Sequence, residues 1–357
     1  MWTGQEEKSW LAVIKQYEKS HSGIHIENLG GVIEDSRTVR ALVAGSPPDL
    51  FTIADPLFLG SLAANDALLP LDDLFKSSGF KHDDFIVASL KICQFKGRLY
   101  AMPYLVDCFA LLWNKKLFKE AGMDPERPPA TTEELAVAIR KLTKTKDDQL
   151  VQLGLQPPVE FNAIPAMFGA YLLAPDGKTI TPDSKENLAA LNWYMQVIKD
   201  EGGNEKVTAF AAGFGQMQSP NNPFFTGQAA MSLGGEWMPN WCERYAPNLD
   251  YGVAPMPHPA NRPDLKAPTF IGGNVFCIPK DSRHAKEAWD LLAWMQTDEA
   301  QILFAELMNG VPNRRSALKA STLRTGSPRR EKFGQFFDLA ESPDVRFFPS
   351  IPVATLY

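Results

Sequence analysis

The chain has 357 residues and a formal net charge of −6, with 36 lysines and arginines against 42 aspartates and glutamates. This length exceeds the size at which one hydrophobic core usually stops growing, so two lobes are expected. The basic residues are scattered along the sequence, which argues against nucleic acid as the main partner. No stretch is apolar for long enough to cross a membrane. Composition therefore predicts a globular protein without deciding its activity.

The common motifs for metal, nucleotide and acyl-transfer chemistry are missing from the sequence. It contains no CxxC pair, no HExxH, no Walker sequence, no GxGxxG and no GxSxG. The cysteines lie far apart in apolar neighbourhoods, which favours buried free thiols, although an exported protein could pair them as disulfides. They are Cys93, Cys108, Cys242 and Cys277. We expect no metal, no cofactor and no catalytic residue, and we expect the five histidines at the surface.

The chain begins with alternating helical and strand patterns, which are typical of α/β layers. Helical spacing over residues 6–20 predicts a helix with a buried face. That face is expected to contain Trp10, Leu11, Ile14 and Tyr17. After Gly23, alternation predicts a short strand over residues 24–27.

Two further helices are predicted before the middle of the chain. One covers residues 35–44 and ends at Gly45. The other begins at Asp55 and Pro56, where the aspartate is the N-cap and the proline takes the first helical position.

A crossing segment follows, where an aromatic residue, a carboxylate and an apolar run meet. Residues 96–98 predict a turn between two β-rich stretches, and residues 109–113 are short enough for a buried strand. Trp113 is expected to fill the core beside that strand. Asn114 then caps a helix that Gly122 ends.

Helices dominate the predicted elements of the remaining chain. Residues 131–134 form a capping box that opens a helix to about Thr143. Residues 184–200 predict a long amphipathic helix. Its apolar residues are Leu188, Leu191, Tyr194, Met195 and Ile198. Ser282 is expected to cap another helix, and the inner face of that helix holds Trp289, Leu292 and Met295. The proline-rich residues 255–268 predict an extended connection and a plausible second crossing between lobes.

Several segments, in their order along the chain, resemble the bacterial extracellular solute-binding proteins of the maltose-binding type, family 1. The matching segments are Trp2–Glu6, Pro48–Phe51 with Asp55, Asp107–Asn114, Phe225–Met231, Gly234–Trp237, Ile271–Asn274 and Gly310–Arg314. The resemblance runs from Trp2 to about Arg315. Each segment is weak by itself, but their combination is specific.

The resemblance implies the α/β class and a two-lobe periplasmic-binding-protein fold of type II. Central mixed sheets flanked by helices would enclose a ligand cleft between the lobes. Lobe one would contain residues 1–108 and 257–309, and lobe two residues 109–256 and 310–357. Family members begin earlier and end later, so the chain is expected to be a shortened form of a longer precursor.

The expected site follows from the chemistry of a sugar. A sugar presents an apolar face and a rim of hydroxyls, so its pocket needs aromatic surfaces together with carboxylate acceptors and polar donors. By resemblance, Asp107 matches the hydroxyl-binding acid of the family and Trp237 its stacking aromatic. The full expected ligand-binding set is Trp2, Gly4, Gln5, Glu6, Asp55, Tyr104, Asp107, Phe161, Asn162, Trp237, Gly272, Gly273, Asn274 and Arg314.

Several of these residues also have a purely structural explanation. Tyr104 could fill a core, Glu6 could favour a helix N-terminus through the dipole, and Asp55 could be only a cap. Gly272 and Gly273 could serve backbone bends, although the same lack of side chains would let main-chain amides approach a ligand. Arg314 could pair with a surface carboxylate.

For function, the resemblance implies a monomeric binding protein without catalytic activity. It would capture a mono- to oligosaccharide by hinge closure and deliver it to the permease of an ABC importer. It would act in the periplasm or outside the cell, with a membrane anchor. Polyamines and glycerol phosphodiesters are alternative ligands. A sensor domain is another alternative, as is a carbohydrate-active enzyme with two carboxylates about 5–9 Å apart across the cleft.

Overall fold

The first helix shows how apolar spacing sets local structure. Residues 5–20 are helical, and Trp10, Ile14 and Tyr17 are buried on one face. Leu11 was predicted on that face but is 44% exposed, because it lies about 100° round the helix from Trp10. The computed structural model describes residues 5–29, 35–54, 58–157, 161, 163–174, 179–214 and 217–350, and the side chains of residues 5, 6, 35–37 and 321 are outside this description.

Helices are distributed along the whole described chain. In chain order they are α1 (Gln5–Ser20), α2 (Asp35–Val43), α3 (Leu59–Ala64), α4 (Asp72–Ser77), α5 (Val87–Lys91), α6 (Lys115–Glu120), α7 (Thr132–Leu142), α8 (Ala163–Met167), α9 (Lys185–Asp200), α10 (Asn204–Ala211), α11 (Pro223–Thr226), α12 (Met238–Tyr245), α13 (Ala285–Met295), α14 (Asp298–Met308), α15 (Arg315–Leu318), α16 (Ser321–Arg324) and α17 (Pro328–Ala340). A 3₁₀ helix covers His82–Asp84.

Strands alternate with these helices. They are β1 (Phe51–Ile53), β2 (Gln94–Phe95), β3 (Arg98–Leu99), β4 (Met102–Pro103), β5 (Asp107–Asn114), β6 (Lys144–Lys146), β7 (Gln149–Gln156), β8 (Ala229–Gly235), β9 (Tyr251–Ala254), β10 (Thr269–Gly272), β11 (Val275–Cys277) and β12 (Val345–Arg346).

The chain divides into two compact units. Unit 1 comprises Met1–Asp107, Ile271–Leu323 and Phe347–Tyr357, and unit 2 comprises Cys108–Phe270 and Arg324–Arg346. The first change of unit lies one residue before the lobe boundary expected from the sequence. The later changes lie at 270/271, 323/324 and 346/347, whereas the sequence placed them at 256/257 and 309/310.

The proline-rich residues 255–268 remain with unit 2 for a visible reason. His258 forms a parallel bridge with Thr131, and the Arg262 guanidinium donates to the carbonyl oxygen of Phe168 at 3.2 Å. These bonds hold the extended segment against unit 2. The change of unit therefore falls further along the chain, within β10.

Unit 1 contains a three-stranded antiparallel sheet in the order β1, β11, β4 and a hairpin of β2 and β3. The hairpin turns at Lys96 and Gly97, which both have positive φ, as the tight turn favoured between twisted strands requires. Helices α1, α13 and α14 contribute to the core of unit 1. Its aromatic centre contains Trp10, Tyr104, Phe276 and Phe304.

Unit 2 is built on a mixed sheet in the order β12, β10, β5, β8, β7, β6, with β9 also paired to β5. Strand β5 is antiparallel to β8 and β9, whereas β7 is parallel to β8 and β10 to β12. From Cys108 to Asn114, β5 is buried, as the apolar run predicted. Trp113 is buried as expected, and its Nε1 donates to the carbonyl oxygen of Pro125 at 2.9 Å.

Two predicted caps are confirmed. Asn114 Oδ1 accepts from the amide of Leu117 at 3.2 Å and so begins α6. Thr131 Oγ1 accepts from the amide of Glu134 at 3.1 Å at the start of α7. The Glu134 carboxylate reaches one residue further back than in an ideal capping box and accepts from the amide of Ala130. The four cysteines are free and buried, as expected.

Three further predictions about local structure are wrong or wrong in part. Residues 24–27 are not a strand, because the Glu18 carboxylate accepts from the amide of Ile26 at 2.8 Å and from the ring of His25 when Nδ1 carries the proton. Ser282 does not cap α13. His284 takes that position, and Ser282 Oγ donates to Asp49 Oδ1 at 3.0 Å.

The third error concerns the orientation of α9. Leu188, Leu191 and Met195 were predicted among the apolar residues of this amphipathic helix but are 47%, 43% and 61% exposed, whereas Tyr194 and Ile198 are half-buried. The buried face instead contains Asn187, whose Nδ2 donates to the carbonyl oxygens of Tyr171 and Thr181 at 2.8 and 2.7 Å. The buried amide finds these partners, so the helix turns its polar residue inwards.

Candidate functional site

In unit 1, the crossing segment and the glycine-rich turn before β11 lie side by side. The amide of Tyr104 donates to the carbonyl oxygen of Asn274 at 3.2 Å. Gly273 has φ of +128°, and a Cβ at this position would lie 2.7 Å from the carbonyl oxygen of Leu105 and 3.3 Å from the amide nitrogen of Asp107. Gly273 therefore permits two main chains to approach closely, which supports the structural explanation for this glycine.

The structure thus brings several predicted site residues together in unit 1. Asp107, the first residue of β5, is half-buried, and so are Gly272 and Asn274 on either side of buried Gly273. Backbone groups and a carboxylate lie within a short distance of one another here. Such a set can accept and donate hydrogen bonds to hydroxyl groups.

Buried amide side chains hold this region in place, and sequence reasoning missed them. Asn313 Nδ2 donates to the carbonyl oxygens of Pro103 and Tyr104, each at 3.0 Å. Gln301 Nε2 donates to Tyr104 O at 3.3 Å, and its Oε1 accepts from the amide of Asn313 at 2.8 Å. Asn313 lies inside the matched segment Gly310–Arg314, which was the available signal. Nothing in the local sequence pointed to Gln301.

Tyr104 lies in the core of unit 1. Its ring is 4.8 Å from that of Phe304 and 5.8 Å from that of Phe276, in edge-on geometry. Only 4% of the residue is exposed. Its position corresponds to the core-filling explanation.

Arg314 makes its contacts within unit 1. Its Nη1 donates to the carbonyl oxygen of Gln296 at 2.8 Å, and its Nη2 lies 3.8 Å from Asp84 Oδ2. The guanidinium carbon also lies over the rings of Phe80 and Phe85, at 5.5 and 5.0 Å from their centroids. Arg314 therefore pairs with a carboxylate, as its structural explanation proposed, and it also packs on two aromatic rings.

In unit 2, the segment after β8 combines a buried acid with an aromatic residue. Glu236 is buried, and its Oε2 accepts from the amide of Cys108 at 2.9 Å. This bond fixes the start of β5 against the end of β8. Trp237 follows immediately, at the N-cap position before α12, and is half-buried.

Trp237 belongs to an aromatic cluster that the sequence did not reveal. Phe109 contacts it edge-on at 5.5 Å and Trp241 lies 5.8 Å away, one helical turn further along α12. A Cβ on Gly235 would lie 2.3 Å from the Trp237 ring, so this glycine makes room for the indole. The buried Nε1 has no hydrogen-bond partner among the described residues. The spacing of Trp237 and Trp241 was the only sequence signal for this cluster.

Phe161 is the other predicted aromatic residue of unit 2 that the structure describes. It is 43% exposed, and its ring packs against Tyr194 of α9 at 5.6 Å. The remaining predicted site residues lie outside the described part of the chain. They are Trp2, Gly4, Asp55 and Asn162, together with the side chains of Gln5 and Glu6.

Each unit therefore offers chemistry suited to a polyhydroxylated ligand, with aromatic rings in unit 2 and hydrogen-bonding groups in both. Among the described residues, no group of three or more His, Cys, Asp and Glu side chains is placed to hold a metal ion. In the same part of the chain, no helix has both the length and the apolarity needed to cross a membrane.

The family model for bacterial extracellular solute-binding protein matches residues 3–302. Because this match covers most of the 357 residues, the chain belongs to that family. The α/β fold class expected from the sequence is confirmed by the mixed helices and sheets and by the similarity to solved structures of such proteins.

Three relatives illustrate the similarity. CpMnBP1, solved with mannobiose and with mannotriose bound, is 30% identical, with TM-scores of 0.83 and 0.84 over 99% and 98% of this chain and 89% of that chain. An uncharacterised ABC transporter extracellular-binding protein of Pyrococcus horikoshii is 26% identical over 342 residues, 88% of this chain and 71% of that protein. The maltotriose-binding protein of Pyrococcus abyssi is 25% identical over 264 residues, 72% of this chain but only 52% of its own length.

Proposed function

We propose that this protein captures a carbohydrate, from a mono- to an oligosaccharide, and delivers it to the permease of an ABC importer. The observation that carries the proposal is the 30% identity, over nearly the whole chain, to a protein solved with mannobiose and mannotriose bound. Manno-oligosaccharides are therefore the first ligands to test, with maltotriose next because a second relative is named for it.

The proposed contacts follow the chemistry of the two units. Trp237 would stack on the apolar face of a sugar ring, and its Nε1 would donate to a hydroxyl. Phe161 would add a second aromatic surface, and Asp107 and Asn274 would bind hydroxyls. The proposed set also keeps, on resemblance alone, Trp2, Gly4, Gln5, Glu6, Asp55, Asn162, Gly272 and Gly273. We assign Tyr104 and Arg314 to positioning roles, because their contacts lie within unit 1.

In this proposal the two units are the lobes, and the ligand is captured by hinge closure. A ligand that binds the closed form more tightly than the open form shifts the population towards closure, which the permease would recognise. The protein would act as a monomer without turnover, in the periplasm or outside the cell, with a lipid anchor. Family membership supports the extracytoplasmic location.

A thermal-shift screen followed by calorimetry tests the proposal. The purified chain is mixed with mannobiose, mannotriose, maltotriose, spermidine and a glycerol phosphodiester. A ligand at a hundred times its Kd adds about 2.7 kcal/mol to stability, so one sugar class is expected to raise Tm clearly. A rise only with spermidine or with the phosphodiester would contradict the sugar proposal. Release of cleaved sugar during long incubation would contradict the absence of catalysis.

A further inference from the structure

Glu201 is a buried acid at an unusual place, the C-terminal end of α9. It is 1% exposed, and its Oε1 accepts from the amide of Leu155, in β7, at 2.8 Å. A negative charge here faces the unfavourable end of the helix dipole and also loses its hydration. An ionised carboxylate is therefore costly at this position. A neutral carboxyl group avoids that cost and can still accept the bond from β7.

The carboxyl group also has an unfilled hydrogen-bond position. Its Oε2 is buried and has no partner among the described residues, and the same is true of Gln156 Oε1, on the residue after Leu155. A neutral carboxylic acid would carry a donor on Oε2 and would remove the buried charge. A charged oxygen buried without a partner costs more than a neutral carboxyl oxygen in the same place, so this geometry is more compatible with a protonated Glu201 than with an ionised one.

The surrounding charges favour the neutral form. Burial, with a smaller contribution from the charge of Asp200, raises the pKa of Glu201 to about 8, even though the amides of Leu155 and Gly154 act in the opposite direction. Asp200 itself is paired with Arg140 of α7 at 2.8 Å. The other titratable groups nearby on α9 are Tyr194 and Lys199. At the start of α10, Glu205 is exposed, and the half-buried Lys206 pairs with Asp148.

Helix α9 connects Glu201 to the proposed ligand-binding aromatic. Tyr194 and Glu201 are seven residues apart, so they lie on the same side of the helix. Tyr194 packs against Phe161, and Glu201 binds the main chain at Leu155. Helix α9 and its C-cap residue Glu201 therefore contact the chain at two points, Leu155 and Phe161.

We propose that neutral Glu201 is a positioning residue that fixes the end of β7 and, through α9 and Tyr194, the place of Phe161. The inference rests on the proposed function only in that Phe161 is taken to bind the ligand. This positioning role makes ligand affinity sensitive to the ionisation of Glu201, although Glu201 does not itself touch the ligand.

Hydrogen exchange tests the positioning role without any ligand. Peptides containing Leu155 and Gln156 are followed by mass spectrometry in the wild type, Glu201→Ala, Glu201→Gln and the exposed control Glu205→Gln. We expect about tenfold loss of protection in Glu201→Ala, because the amide of Leu155 loses its acceptor, and wild-type protection in Glu201→Gln and the control. Protection in Glu201→Ala equal to the wild type, or lost equally at Ala229–Met231 of β8, would overturn the proposal.

The pH dependence gives a second test that does not require Glu201→Ala to fold. After correction for intrinsic exchange, protection at Leu155 in the wild type should fall between about pH 7 and about pH 9, because an ionised Glu201 gains hydration by leaving its buried position and so releases the amide, whereas Glu201→Gln should remain flat. Mannotriose affinity should fall several-fold over the same interval in the wild type alone. Parallel pH profiles of protection in both proteins would overturn the proposal. If no sugar binds at all, the proposed function fails, but the exchange experiment still decides the role of Glu201.

Discussion

Trp237 stands where β8 passes into α12, and the absent side chain of Gly235 lets its ring lie close to the strand. The indole touches Phe109 and Trp241 and leaves a buried N–H without a partner among the described residues. An unpaired buried donor is costly, so a ligand hydroxyl that accepts from it would gain binding free energy. This single residue therefore carries the strongest local prediction about the ligand.

We expect Trp237→Ala to weaken the binding of mannotriose by about 1–3 kcal/mol, as is typical of anchoring aromatic residues. Trp237→Phe should lie between this variant and the wild type, since it keeps an aromatic ring but loses the N–H. Calorimetry measures the affinities, and circular dichroism checks that the fold is kept. If the wild type binds mannotriose and Trp237→Ala binds it equally well, Trp237 is not in the site.

Gly273 provides a test of backbone geometry at one residue. Gly273→Ala should lower the free energy of unfolding by roughly 2–4 kcal/mol, because it adds a clash with the carbonyl oxygen of Leu105 to the strain of positive φ. Gly97→Ala is the matched control, with φ of +78° and open space around the new Cβ, and should cost about 1 kcal/mol. Equal losses in urea unfolding would show that the close approach at Gly273 contributes nothing.

At the scale of elements, local signals predicted which segments form helices better than which face is buried. The caps at Asn114 and Thr131 depend on bonds within four residues, so the sequence contains all that is needed. The inward face of α9 depends on bonds from Asn187 to Tyr171 and Thr181, up to 16 residues away. Such partners are not visible in the periodicity of the helix itself.

Two substitutions on α9 test the observed orientation. Leu191→Ala should change stability by less than about 0.5 kcal/mol, because this leucine is exposed. Val197→Ala, on the buried face of the same helix, should cost about 2 kcal/mol. Chemical unfolding measures both. A loss of about 2–5 kcal/mol in Leu191→Ala would restore the face predicted from the sequence.

The candidate site shows the same limit: local sequence identifies residues but not their distant partners. The matched segments singled out Asp107, Trp237, Gly273 and Asn274 as expected site residues, and the structure has them at or beside strand ends. The residues that hold those ends in place come from distant parts of the chain. Glu236 binds the amide of Cys108 across 128 positions, and Gln301 and Glu201 act across 197 and 46. Spacing within one element carries no information on such pairs.

At the scale of the whole molecule, Glu201 should leave a signature in the pH dependence of stability. Its pKa is raised in the folded protein, so between the ordinary value of 4.5 and about 8 the folded state binds more protons than the unfolded state. The stabilisation is complete below that window and is lost as the pH rises through it.

We therefore expect the free energy of unfolding to fall by up to about 1.4 kcal/mol per pH unit between about pH 6 and about pH 8. Glu201→Gln should flatten this fall, because it cannot ionise. Urea unfolding at several pH values measures the effect. A wild type and a Glu201→Gln variant with the same slope would show that Glu201 ionises alike in the folded and unfolded states.

The interleaving of the two units has a consequence for how the protein is made. Strands β1 and β4 both precede residue 104, but each pairs with β11, the middle strand of their sheet, which is synthesised only at residues 275–277. Unit 2 in turn waits for α17 and β12, which follow residue 327. Until then the nascent chain must carry unpaired strand edges, which are prone to wrong association. A chain cut after residue 270 would leave both units incomplete. To obtain either unit intact, its separate segments would have to be joined in one chain, because a single cleavage cannot separate the units.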